Sequence, residues 1–109
     1  MNKFEVNELL DFYESLLTDK QREICNEYYR EDLSYQEIAE EMNISRSAVY
    51  DTVKHVKNDL LNYEDKLGCL SSYKKRNDIY QKLKEYTDDV SILNYIKELE
   101  KNENGGNYE

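Results

Sequence analysis

The sequence predicts an all-α protein. The 109 residues contain no Pro and only three Gly, apolar side chains recur at spacings of three and four, and capping residues stand where those stripes begin. Without the strongest turn and breaker residues, a meander of strands has few places to reverse. Eleven Tyr supply the aromatic bulk that two Phe and no Trp leave short. One domain is expected over residues 1–102, large enough to bury a core without a disulfide or a metal, with residues 103–109 as a frayed tail.

The first stripe, Val6, Leu9, Leu10, Tyr13, Leu16 and Leu17, predicts a helix from about Lys3 to Leu17. Thr18 then caps a second helix with Asp19 in its first turn, and Ile24, Cys25, Tyr28 and Tyr29 form an apolar face ending near Arg30. Ser34 with Glu37 three residues later reads as a capping box, opening a short helix that carries Ile38, Ala39 and Met42. Asn43 takes the left-handed conformation that ends it, Ile44 plugs the turn, and Ser45 caps again.

From there Val49, Val53, Val56, Leu60, Tyr63 and Leu67 recur in steps of four and three, so one helix of roughly 33 Å is expected from Arg46 to Leu67, stopped by Gly68. That seam is either a core stripe within one chain or a dimer contact. Its length, with Leu61 and Leu70 beside it, makes a homodimer the expectation. Ile79, Leu83 and Tyr86 mark the next helix, and Thr87, Asp88 and Asp89 start a last one that carries Val90, Leu93, Ile96 and Leu99.

Charge narrows the function. With 24 acidic residues against 15 basic ones the net charge is -9, so long-range attraction to phosphate is unfavourable and a nucleic-acid role needs a local patch. The strongest such stretch is residues 66–84, where six basic residues stand against one acidic. There Lys66, Lys74, Lys75, Arg76, Lys82 and Lys84, interleaved with Tyr73 and Tyr80, form either a phosphate-binding surface with rings open to unpaired bases or a solvated helix face.

Cys25 and Cys69 are far apart and His55 is the only histidine, so no metal site is expected and both thiols read as packing residues. No Gly-rich phosphate loop and no nucleophile with a base is present, so neither an enzyme nor a cofactor is expected. No apolar run reaches the length of a membrane span and the first residues lack a signal-peptide pattern; no membrane insertion and a cytoplasmic location are expected.

Ser34 to Val56 has the layout of a helix-turn-helix: a short capped helix, a three-residue turn and a second capped helix, with small Ala39 where the two cross and Ile38, Met42, Ile44 and Val49 filling the wedge. In that geometry Arg46, Ser47, Tyr50, Asp51, Lys54 and Lys57 share the outer face. Arg46 suits a guanine edge or a phosphate, Ser47 a base or phosphate, Tyr50 a thymine methyl, and Lys54 and Lys57 the backbone. Asp51 accepts from a cytosine amine but repels phosphate.

Three segments carry a resemblance: LTDKQREI at Leu17 to Ile24, YYREDLSYQEIAEEMNISRSAVYDTVKH at Tyr28 to His55, and NYEDKLG at Asn62 to Gly68. Together they resemble the YlxM family of small bacterial helix-turn-helix proteins, and the middle one is also similar to region four of sigma factors. The resemblance implies an all-helical, commonly dimeric protein with an accessory or regulatory role in the signal recognition particle pathway, and places Arg46, Ser47, Tyr50 and Lys54 on the recognition helix. Its expected partners are DNA or the particle RNA. The alternative is an acidic docking module for the particle's protein subunit or its GTPase.

Overall fold

The caps named above set the element boundaries. In the computed structural model, which describes residues 2–103, the helices are α1 (Lys3–Tyr13), α2 (Asp19–Cys25), α3 (Tyr35–Met42), α4 (Arg46–Leu67), α5 (Cys69–Glu85) and α6 (Val90–Glu103). Among the described residues there is no strand. Asn2 starts α1 by accepting from the Glu5 N–H at 2.9 Å. Thr18 with Gln21 and Ser34 with Glu37 form reciprocal capping boxes, and the Ser45 hydroxyl accepts from the Ala48 N–H at 3.0 Å.

The first helix is shorter than its apolar stripe predicts. The α-helix ends at Tyr13, a 3₁₀ turn covers Glu14–Leu16, and Leu17 is extended at φ -90°, ψ 155°. Arg22 holds that reversal, donating to the carbonyls of Glu14 at 3.2 Å and Leu17 at 3.1 Å. Leu16 therefore leaves the stripe and is exposed, while Leu17 is buried. The second helix continues past α2 as a π-helical turn, Asn26–Arg30.

The chain divides into two compact units, residues 1–70 and residues 71–109. In the first, α4 is the spine against which α1, α2 and α3 all pack. Its buried face is Val49, Val53, Val56 and Leu60, meeting Val6, Leu9 and Leu10 of α1, Ile24 and Cys25 of α2, and Ile38 and Ala39 of α3 in one core. Burial of each large aliphatic side chain contributes about 1.5–3 kcal/mol.

The seam does not continue to its end. Tyr63 is half-buried, with its ring 5.9 Å from Tyr13, and Leu67 is 61% exposed because α4 stops there at Gly68, φ 63°. The Tyr13 hydroxyl donates to Glu64 at 2.6 Å and accepts from the Cys69 N–H at 3.0 Å, while Glu64 also accepts from the Leu70 N–H at 3.0 Å. These bonds satisfy two otherwise orphaned N–H groups at the start of α5. Cys25 is buried, which pushes its thiol up to about 12; Cys69, read from sequence as a packing residue, is exposed at the helix start.

In the second unit α5 and α6 run antiparallel, tied by Arg76 to Glu103 and Lys84 to Glu100. Among the described residues only Tyr80 and Ile96 are buried there, and Ile79, Leu83, Tyr86, Val90 and Leu99, expected as core stripes, are exposed. A pair of helices covers only a narrow line of each surface, so most of both stripes stays outside. The last helix runs through Glu103; of the expected tail, residues 104–109 lie outside the described residues.

Candidate nucleic-acid interface

Helices α3 and α4 meet through the turn Asn43, Ile44 and Ser45. Asn43 adopts the left-handed conformation at φ 56°, ψ 48°, and the Ile44 N–H donates back to the Ala39 carbonyl at 3.1 Å. A β-branched or bulky residue is strained at that φ, whereas Asn tolerates it. Ile38, Ala39 and Val49 are buried where the helices cross, and Met42 and Ile44 are half-buried beside them. The elements of a helix-turn-helix are present.

With Val49, Val53 and Val56 inward, the opposite face of α4 presents Arg46, Ser47, Tyr50 and Lys54 to solvent; Lys57 is half-buried. The Ser47 hydroxyl lies 3.2 Å from that of Ser45. Tyr50 stands edge-on to Tyr35 of α3 with centroids 5.6 Å apart, which limits its motion. Asp51 is also outward. Of the acids on α3, Glu37 is turned back on the Ser34 N–H, which holds its carboxyl below the usual range, and Glu40 accepts from Gln36 at 3.0 Å. His55 pairs along its own helix with Asp59 at 3.3 Å.

The basic stretch is arranged differently. Lys66 stands at the end of α4 in the first unit, and Lys74, Lys75, Arg76, Lys82 and Lys84 stand on α5 in the second. Arg76 donates to Glu103 at 2.7 Å and to the Ser72 hydroxyl at 2.6 Å, and Lys84 pairs with Glu100 at 2.9 Å, so acids of α6 neutralise part of the local charge. Tyr80 is buried and donates to Glu103, and Tyr73 is half-buried, so these rings are less open than the sequence suggests.

Two features escaped the sequence reading. Tyr28, read as core, is half-buried, and its ring stacks on Tyr35 at 4.8 Å. Glu27 is a carboxyl on the buried side of the π turn, 4% exposed, and its Oε2 meets no hydrogen-bond partner among the described residues. Burial, then Glu41, Glu23 and Glu31 around it, raise its pKa to about 7. The signal for it was present: Glu27 stands three residues from Ile24, on the apolar stripe.

Among the described residues no group of three or more His, Cys, Asp or Glu has the arrangement to hold a metal ion, and no helix is long and apolar enough to cross a membrane. The model of one protein family, described as "Putative helix-turn-helix protein, YlxM / p13 like", matches residues 1–101. A UPF0122 protein of Halalkalibacterium halodurans is 51% identical over 83 residues, 76% of either chain. That of Pediococcus pentosaceus is 41% identical over 103 residues, 90% of this chain and 91% of its own, and that of Lactococcus lactis subsp. cremoris 44% over 96 residues, 87% and 86%. A helix-turn-helix between capped helices, matched across nearly its whole length by this family and its relatives, places the chain in the UPF0122 family of YlxM / p13-like proteins.

Proposed function

We propose that this protein is a non-enzymatic regulator that binds nucleic acid through α4 and acts in the cytoplasm in the signal recognition particle pathway. The observation that carries the reading is the outward set Arg46, Ser47, Tyr50 and Lys54 on the first turns of a helix whose other face is locked in the core. Donors held on a rigid element suit base edges and phosphates. The link to protein targeting rests on the resemblance to YlxM proteins, and the ligand is DNA or the particle RNA.

The test is a salt series with the full chain, its own upstream DNA and the particle RNA. Binding is expected to weaken steeply with salt, by roughly one unit of slope per phosphate contact. Arg46→Ala with Lys54→Ala is expected to abolish specific binding. Lys75→Ala with Lys82→Ala, which leaves the Arg76–Glu103 pair intact, is expected to cost a uniform few-fold. No affinity at low salt, or affinity indifferent to salt, rejects the reading; a nuclease-resistant complex with the particle's protein subunit or its GTPase would replace it with the acidic docking module.

The same proposal includes a homodimer, with its contact shifted. The seam of α4 is occupied within the chain as far as Leu60, whereas Ile79, Leu83, Ile92, Tyr95 and Leu99 of the second unit are exposed. Apolar groups in that number on a two-helix unit support pairing there.

A further inference from the structure

Between α1, the π turn, α3 and the middle of α4 lies an open cleft of about 320 Å³. Tyr28, Tyr35 and Tyr50 line it together with Lys3, Lys54 and Lys57. Among the described residues no carboxylate lines it, although Asp32 pairs with its Lys3 at 2.9 Å. We infer that this cleft binds one nucleotide, its base against the exposed ring of Tyr50 and its phosphate on Lys54 and Lys57.

The rings form a platform rather than loose side chains. Tyr28 and Tyr35 are stacked within 14° of parallel at 4.8 Å, and the Tyr35 hydroxyl donates to that of Tyr28 at 3.2 Å. Tyr50 stands nearly perpendicular to Tyr35, at 88°, and is 46% exposed, which leaves ring surface for a base. Base-on-aromatic stacking is worth about 1–3 kcal/mol and accepts any base, since each has a π face.

The cations divide the work. Lys3 sits 4.0 Å over the Tyr28 ring and is held by Asp32 at 2.9 Å and the Tyr28 carbonyl at 3.3 Å, so it closes one end. Lys54 and Lys57 show no ion pair among the described residues and stand one helical turn apart on the same wall as Tyr50. A ligand with a flat ring and an attached anion uses both halves of this lining. Ligand sites span roughly 300–1,000 Å³, so the volume suits one nucleotide.

This goes beyond the helix-turn-helix reading, because a single nucleotide needs no duplex to occupy the cleft. It also bears on that reading: Tyr50 and Lys54 belong to both surfaces, so an occupied cleft competes for them and makes duplex affinity depend on the nucleotide. The shared chemistry has two sources, a free nucleoside monophosphate or an unpaired nucleotide of a single strand.

The experiment titrates ¹⁵N-labelled full-length protein with AMP, adenosine, inorganic phosphate and a five-residue oligoadenylate, following amide shifts in the wild type, Tyr50→Ala and, as control, Lys20→Ala, an exposed lysine of α2 outside the cleft lining. The expected result is saturable perturbation of Tyr28, Tyr35, Tyr50 and Lys54 by AMP, with adenosine and phosphate each far weaker. Tyr50→Ala is expected to weaken it by about fivefold to a hundredfold, with Lys20→Ala unchanged. Saturation at those residues by the oligonucleotide alone assigns the site to a strand and supports the inference equally. Saturation by neither AMP nor oligonucleotide, phosphate binding as tight as AMP, or an unaffected Tyr50→Ala overturns it. Duplex binding by the same samples is scored separately, so loss of one reading is not loss of the other.

Discussion

Glu27 shows what one residue does to the stability profile. Its carboxyl is buried and surrounded by Glu41, Glu23 and Glu31, so the folded chain keeps the proton to about pH 7, whereas an unhindered glutamate releases it near 4.5. The fold thus binds a proton the unfolded chain has lost, and stability falls as pH rises from about 4.5 to 7, then levels. Glu27→Gln keeps the shape without the charge. It is expected to match the wild type at pH 4 and to be more stable by about 1–2 kcal/mol at pH 8 in urea titrations. Parallel curves for the two proteins across that range would refute this account.

At the scale of elements, the positions of helices depend on a few bonds at their ends. The Ser34–Glu37 capping box starts α3. Ser34→Ala is expected to cost about 1 kcal/mol in chemical denaturation and to weaken nucleic-acid binding only slightly, since the turn at Asn43 is untouched. Tyr13 acts at the other end of the first unit, joining α1 to Glu64 and to the first N–H of α5. Its burial and its bond to Glu64 raise the phenol pKa, so it remains a donor throughout the neutral range. Tyr13→Phe leaves Glu64 short of a donor and the Cys69 N–H without its acceptor. A loss of about 1–3 kcal/mol is expected, together with faster amide exchange at Cys69 and Leu70. An unchanged exchange rate would show that the network does not hold the start of α5.

For the whole molecule, the contrast is between a first unit with a continuous core and a second in which, among the described residues, two apolar side chains are buried, Tyr80 and Ile96. If the exposed stripes of α5 and α6 pair two copies, light scattering gives twice the chain mass at micromolar concentration. Leu83→Glu with Tyr95→Glu, which places charge on that surface, then gives the monomer mass with the first unit still folded. A wild-type monomer at those concentrations removes the homodimer from the proposal. The net charge of -9 acts at this scale too. It disfavours indiscriminate attraction to phosphate and leaves binding to local surfaces such as the start of α4.

The all-α class, the caps at Thr18, Ser34 and Ser45, the left-handed Asn43 and the stop at Gly68 were legible because each depends on residues within one or two turns. The helix-turn-helix was legible for the same reason, and with it the outward set on α4. Periodicity also located the buried face from Val49 to Leu60. What lies across that face was not legible, since a stripe records only that something apolar must cover it. Tertiary packing decided that α1, α2 and α3 cover the seam, that Leu67, Ile79 and Leu83 stay outside, and that Arg76 and Lys84 pair with α6. It also joined tyrosines and lysines from positions 3 to 57 into one cleft, a contact between distant residues that no local pattern encodes. The sequence by itself determined where helices begin and end, because those energies are local; the tertiary structure alone decided which faces and which charges meet.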